Sequence, residues 1–113
     1  MSSPILITGA GQRIGLAFAQ HCLSHGTPVI ATYRKHRPAI DSLREAGANC
    51  IWADFATNEG VDAFISALKY ETSSLRAIIH NASDWLPEHP DSDPAEVMAA
   101  MMQIHAMAPY RIN

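Results

Sequence analysis

Cysteine is scarce: only Cys22 and Cys50 occur in 113 residues, with no short spacing of the kind a metal or redox motif needs. That excludes a disulfide-stapled framework, and both side chains read as buried thiols. Positive charge is also in short supply, with 8 Lys+Arg against 11 Asp+Glu and a formal net charge of -3. A chain so balanced carries no basic field for nucleic acid or acidic lipid, so a local cluster of cations needs a small anionic ligand to explain it. Long apolar runs are missing as well. Pro4 to Ile7 is far shorter than a secretory signal and lacks its basic flank and cleavage site. Nothing later approaches the roughly 20 apolar residues of a membrane span, so a cytoplasmic protein is expected. Repeats, low-complexity tracts and interdomain linkers are absent too. What remains, 48% apolar and 17% charged, is the balance of a globular chain with one core.

The apolar pattern alternates between two periods. Ile5-Leu6-Ile7-Thr8 is a short β-rich run ending at glycine, as a strand buried on both faces would. Ile14, Leu16, Ala17, Phe18, Cys22 and Leu23 then recur at helical spacing, and Gly26 stands where a left-handed cap closes the last turn. Val29 to Tyr33 predicts a second strand, Pro38 to Ala46 a helix opened by proline and closed by Gly47, and Cys50 to Ala53 a third strand. Gly60 to Tyr70 carries Val61, Phe64, Ile65 and Leu68 at helical offsets, Leu75 to Ile79 predicts a fourth strand, and the proline-broken stretch from Asp84 to Pro94 a loop. From Pro94 to Asn113 the pattern is one long helix, apolar around most of its circumference, which predicts burial or a subunit interface. Strands alternating with helices mean βαβ units with right-handed crossovers. The expected fold is α/β, a Rossmann-type doubly wound parallel sheet of order 3-2-1-4, with a ligand crevice at the carboxyl ends of strands one and four. Residues 1–113 read as the N-terminal part of a single such domain, stopping before a fifth strand, so that the edge of strand four would stand bare.

Two motifs carry chemistry on the residues themselves. Gly9-Ala10-Gly11-Gln12-Arg13-Ile14-Gly15 joins strand one to the first helix, where backbone N–H groups and a helix N-terminus can hold a diphosphate. The plainer reading is a tight turn that simply needs glycine. Roughly 20 residues past the glycines, sheets that bind NAD place a carboxylate for the ribose hydroxyl. Here Thr32-Tyr33-Arg34-Lys35-His36-Arg37 offers only hydroxyls and cations. Arg34 can grip a 2′-phosphate through two charge-assisted hydrogen bonds, which favours NADPH over NADH; a solvated basic loop is the alternative. His21 and His25 have the spacing of a metal pair but no third ligand nearby in sequence, so no metal is expected.

Thr8-Gly9-x-x-x-Arg13-x-Gly15 resembles the glycine turn of the short-chain dehydrogenase/reductase superfamily, with Arg13 in place of the middle glycine as in its pteridine-reductase branch. His80-Asn81-Ala82-Ser83 resembles the family's strand-four signature in that branch's form, and Asp54-Phe55 closes strand three where the family keeps an adenine-binding Asp and an apolar neighbour. With Tyr33-Arg34 and Met101-Met102-Gln103-Ile104-His105, the likeness spans all 113 residues and is greatest to the bacterial dihydromonapterin reductases, a group also described as alternative dihydrofolate reductases. The resemblance implies NADPH-dependent reduction of a dihydropterin to the tetrahydro form. It implies cofactor contacts from Gly9, Gly11, Gln12, Arg13, Ile14, Gly15, Tyr33, Arg34, Asp54, Phe55, Asn81, Ala82 and Ser83. Arg13, Ser83 and Trp85 would meet the pterin, with Trp85 stacked on its ring or, on the plainer reading, anchoring the loop. A homo-oligomer, dimer or tetramer, is implied as well.

His105 stands where the family has a helix asparagine, four residues before Pro109; a proton-relay role and a histidine satisfied in a helix interface both fit it. The family's Tyr-x-x-x-Lys pair does not occur, since Tyr33 is followed four residues on by Arg37 and Tyr70 by Ser74. No catalytic residue other than His105 is therefore expected in these residues, and the chain alone is expected to be inactive. A carbonyl reductase of the same superfamily and a non-catalytic NADP-binding module stay open beside the pterin reductase.

Overall fold

The structure, a computed structural model, describes residues 3–11, 13–82 and 93–113, except for the side chains of Arg13 and Pro94. Four strands, β1 (Ile5–Ile7), β2 (Val29–Tyr33), β3 (Asn49–Trp52) and β4 (Ala77–Ile79), form one parallel sheet in the order β3-β2-β1-β4. Between them run α1 (Arg13–Ser24), α2 (Pro38–Glu45) and α3 (Asn58–Glu71). The α/β class and the strand order are those expected. The loop expected from Asp84 lies outside the described residues as far as 92.

Side chains alternate across each strand, and that alternation builds two cores. Ile7, Val29 and Ala31 face α1 and α2, joining Ala19, Cys22, Ile40 and Leu43. Leu6 and Ile30 face the other way, toward Val61, Phe64 and Leu68 of α3, with Ala53, Phe55 and Ala108. Helix α3 begins two residues before the expected Gly60, because Thr57 caps it: Thr57 Oγ1 accepts from Gly60 N at 3.0 Å. Helix α2 keeps its proline opening and ends at Glu45, and both Gly26 and Gly47 adopt positive φ as expected of helix ends.

Three expectations need correction. Hydropathy placed Ile14 and Phe18 on the inner face of α1, yet Ile14 is 79% and Phe18 38% exposed. The buried positions are Gly15, Ala19 and Cys22, because Gly15 lies against the β1 turn and that contact sets the rotation of the helix. The final helix is not uniform, and within this chain it is largely exposed, which leaves the subunit-interface alternative. It runs as α4 (Pro94–Met102), a wider π segment (Gln103–Met107) and α5 (Ala108–Ile112). Pro109 has no N–H to give the carbonyl of His105 and its ring would crowd that group; the ladder widens there, and Ala108 N bonds Gln103 O. Among the described side chains of this stretch only Ile104 and Ala108 are buried, while Met98, Met102, Met107 and Tyr110 are exposed. Finally, Cys22 is buried as expected but Cys50 only half so, and both are free thiols.

Phe64 is fully enclosed and meets Phe55 edge to face, ring centroids 5.5 Å apart. Phe64→Ala is expected to cost about 3–5 kcal/mol, read as a fall in the denaturant midpoint with little change in slope.

Candidate cofactor site

Thr8, the residue after β1, has its hydroxyl buried between β1 and β4. Its Oγ1 accepts from Asn81 N and from Ala82 N, each at 3.0 Å. Asn81 returns its Nδ2–H to Gly9 O at 3.1 Å, and Thr8 N donates to Ile79 O at 3.1 Å. On the other side β2 contributes Thr32, whose Oγ1 accepts from Gly9 N at 3.0 Å and whose carbonyl accepts from Ala10 N at 2.9 Å. The glycine turn is thus tied to both neighbouring strands, at the carboxyl ends where doubly wound sheets open their crevice.

These ties reassign the glycines. The N–H of Gly9 is spent on Thr32, so it has no bond to offer an anion; glycine is needed there because φ is +70° and a Cβ would fall 2.7 Å from Ala82 Cα. At Gly15 a Cβ would collide with Asn81 Nδ2 and lie 2.6 Å from Gly9 O, so the helix approaches the turn only without a side chain. Gly11 differs. Its φ is ordinary, and a Cβ would meet nothing closer than Ile40 Cδ1 at 3.6 Å. Among the described residues no neighbour demands glycine at that position, and its absent side chain leaves open a cradle beside the N-terminus of α1, whose first N–H groups have no partner within the helix.

The adenosine side lies at the end of β2. Arg44 of α2 donates to Tyr33 Oη at 3.0 Å and its guanidinium carbon stands 5.3 Å from the Tyr33 ring centroid; the hydrogen bond raises the Arg44 pKa above its ordinary value. Trp52 Nε1 donates to Arg34 O at 2.9 Å. His36 Nε2 lies 3.0 Å from Asp41 Oδ1, the nearest carboxylate to this basic stretch among the described ion pairs. Asp54 closes a local turn, its Oδ1 accepting from Ala56 N at 2.9 Å. Phe55 is buried, its ring packed edge to face on Phe64.

His105 lies on the π segment and lines a cavity of about 170 Å³ together with Thr8, Phe55, His80, Ala82 and Ile104. It is exposed in this chain. Of the remaining expected residues, Gln12, Ser83, Trp85 and the side chain of Arg13 lie outside the described residues. Ile14 opens α1 and is exposed. His21 and His25 stack with centroids 4.3 Å apart, and no group of three metal-ligating side chains occurs among the described residues. No described helix is long and apolar enough to cross a membrane. Thr8 and Thr32 stood within motifs read from sequence without a role of their own, and Arg44 and Trp52 were given none; the threonines' roles could have been found, since a hydroxyl at a buried strand end must find a partner.

Sheet order and glycine turn define a Rossmann-type α/β protein. The family described as short chain dehydrogenase matches residues 3–112, and the chain belongs to that family. Dihydromonapterin reductase of Escherichia coli (strain K12) is 56% identical over 110 residues, covering 97% of this chain and 46% of that protein. The enzyme of the same name from Klebsiella pneumoniae is 57% identical with the same coverage. The chain thus spans about half the length of the curated relatives it matches. In fold it is similar to a short-chain dehydrogenase from Streptomyces avermitilis, with a TM-score of 0.82 at 23% identity over 98% of this chain and 42% of that one. A metagenomic short-chain oxidoreductase solved in complex with NADP gives a TM-score of 0.77 at 24% identity, over 99% of this chain and 54% of that one.

Thr8→Val keeps the shape of the side chain and removes the acceptor from two N–H groups. It is expected to cost about 2 kcal/mol or more, with Thr8→Ser close to wild type in thermal melts. Burial pushes the Cys50 thiol above its ordinary range, with Arg44 pulling it down by less and Asp41 raising it slightly. Alkylation of Cys50 should therefore be slow at neutral pH and rise through a midpoint above that of a free cysteine in a pH–rate profile.

Proposed function

We propose that this chain supplies the NADP-binding part of an NADPH-dependent reductase acting on a dihydropterin, dihydromonapterin or dihydrofolate, to give the tetrahydro form. One observation carries the cofactor: a glycine cradle at Gly11 stands beside the end of β2, where residues 33–37 supply Tyr33, Arg34 and Lys35 and no carboxylate of their own, Asp41 of α2 lying against His36. The pterin is supported by the relatives that bear the name dihydromonapterin reductase at 56% identity. Gly11 and the opening of α1 would hold the diphosphate, Arg34 would pair with the 2′-phosphate, and Asp54 would accept from the adenine amino group through the oxygen that its turn leaves open. Arg13, Ser83 and Trp85 would contact the pterin. NADPH, when bound, would supply the hydride for the C=N bond.

Thr8 and Asn81 keep the turn in place, and His105 faces the same crevice without the paired lysine that a family proton donor uses. In this reading residues 1–113 are the first part of a single NADP-binding domain, and the length that this chain does not share with its relatives provides the Tyr-x-x-x-Lys pair. These residues alone would bind cofactor and not turn over. Exposed Met98, Met102, Met107 and Tyr110 would be covered in the whole protein or by a second copy, as in a dimer or tetramer.

Calorimetry on the intact protein is expected to show NADPH bound at least about tenfold more tightly than NADH, a margin that Arg34→Ala removes by weakening NADPH alone. Equal affinity for both cofactors would overturn the assignment. With a dihydropterin the intact protein should consume NADPH. Consumption with ketones only would move the substrate to carbonyl compounds, and consumption with neither would make the protein a non-catalytic NADP-binding module.

A further inference from the structure

Two side chains outside the glycine turn, Arg44 and Trp52, hold the end of β2. Arg44 projects from α2, and one of its terminal nitrogens donates to Tyr33 Oη at 3.0 Å and to Cys50 O at 3.4 Å. Its other terminal nitrogen lies 3.9 Å from Asp41 Oδ1, and its guanidinium carbon stands over the Tyr33 ring, 5.3 Å from the centroid. Trp52 stands opposite Tyr33 in the β2–β3 register, and its Nε1–H reaches one residue further, to Arg34 O at 2.9 Å. The last residue of β2 is therefore held by its side chain and the next by its main chain, from two different elements.

The direction of these bonds matters. A phenol oxygen that accepts from a guanidinium keeps its own hydrogen for a separate acceptor, and a cation behind the oxygen makes that hydrogen a better donor to an anion. Tyr33 is also beside the cradle, its Cβ only 3.9 Å from where a Cβ on Gly11 would lie. Asp41, the carboxylate that would oppose an anion here, lies 3.0 Å from His36 Nε2. Trp52 does for Arg34 what Arg44 does for Tyr33, since a main-chain carbonyl in a fixed place fixes the point from which the side chain projects.

We propose that Arg44 and Trp52 are positioning residues for the adenosine phosphate of NADP: Arg44 presents the Tyr33 hydroxyl as a donor, and Trp52 sets the backbone that carries Arg34. This rests on the cofactor assignment above. Neither residue needs to touch the cofactor; each removes ordering that would otherwise accompany binding.

The test is the ratio of NADH to NADPH dissociation constants, measured by calorimetry on the intact protein and on Arg44→Met, Arg44→Lys, Trp52→Phe, Tyr33→Phe and the Arg44→Met/Tyr33→Phe pair. Arg44→Met and Trp52→Phe should each raise the NADPH constant about fivefold, the effect of losing one preordered hydrogen bond, and leave NADH unchanged. Arg44→Lys should recover part of the loss, because an ammonium can still donate to Oη but cannot lie flat on the ring. The double variant should be no worse than Tyr33→Phe, since Arg44 acts through that hydroxyl. Melting temperatures should stay close to wild type. Variants that weaken both cofactors alike, or neither, or effects of Arg44 and Tyr33 that add, would overturn the proposal while leaving a selective wild type intact. A wild type that binds both cofactors equally would remove the cofactor assignment, and this inference with it.

Discussion

A single hydroxyl oxygen joins the halves of the crevice. Thr8 Oγ1 receives two main-chain N–H groups from the end of β4, and Asn81 sends its own amide back to the turn that follows β1. Two parallel strands ordinarily diverge beyond their last ladder bond; here they are held together one residue further on, where the backbone must turn in opposite directions. Those N–H groups would otherwise be orphaned in a part-buried place. The rest of the site is built outward from this bond. Gly9 passes close under Ala82 because Thr8 fixes that approach, Gly15 packs against Asn81 because Asn81 faces the turn, and the rotation of α1 follows from Gly15.

That sequence of constraints explains what could be read in advance and what could not. The order of elements was legible, because short β-branched runs and helical spacing alternate with glycine and proline between them; β2 has the predicted bounds, Val29–Tyr33. The topology followed from the handedness of βαβ crossovers. The inner face of α1 was not legible. Hydropathy sees Ile14 and Phe18 and is blind to a glycine that acts as a contact surface, so it turned the helix the wrong way. The place of Phe55 in a motif likewise says which residue follows Asp54 and nothing about its packing partner, which is Phe64.

Pro109 and the threonines are intermediate cases. The proline is plain in the sequence, but its effect appears at His105, one turn earlier, as a widened segment that brings this histidine to the cavity containing Thr8 and Ala82. Thr32 lies in a β-rich run and reads from sequence only as one hydroxyl beside the cations; it takes up the N–H of Gly9, so that an anion at the turn would have to find its donors further on, at Gly11 and the start of α1. Arg44 had no signal at all. It lies on the outward side of a short amphipathic helix, where a charged residue is the default, and only the fold brings it to the phenol of Tyr33.

Electrostatics decides how such a site has to work. The chain carries a net charge of -3, so its overall field does not draw an anionic cofactor inward, and beyond a Debye length of about 8 Å that field is screened in any case. Recognition of a phosphate must then come from contacts within hydrogen-bonding range. At that range the geometry of donors outweighs their number: Tyr33 is held through its hydroxyl by Arg44, and Arg34 through its carbonyl by Trp52. A loosely ordered cluster of cations would bind many anions with little preference between them. One whose donors are fixed by neighbouring elements can distinguish a phosphate from a hydroxyl, because the wrong partner leaves ordered donors without an acceptor.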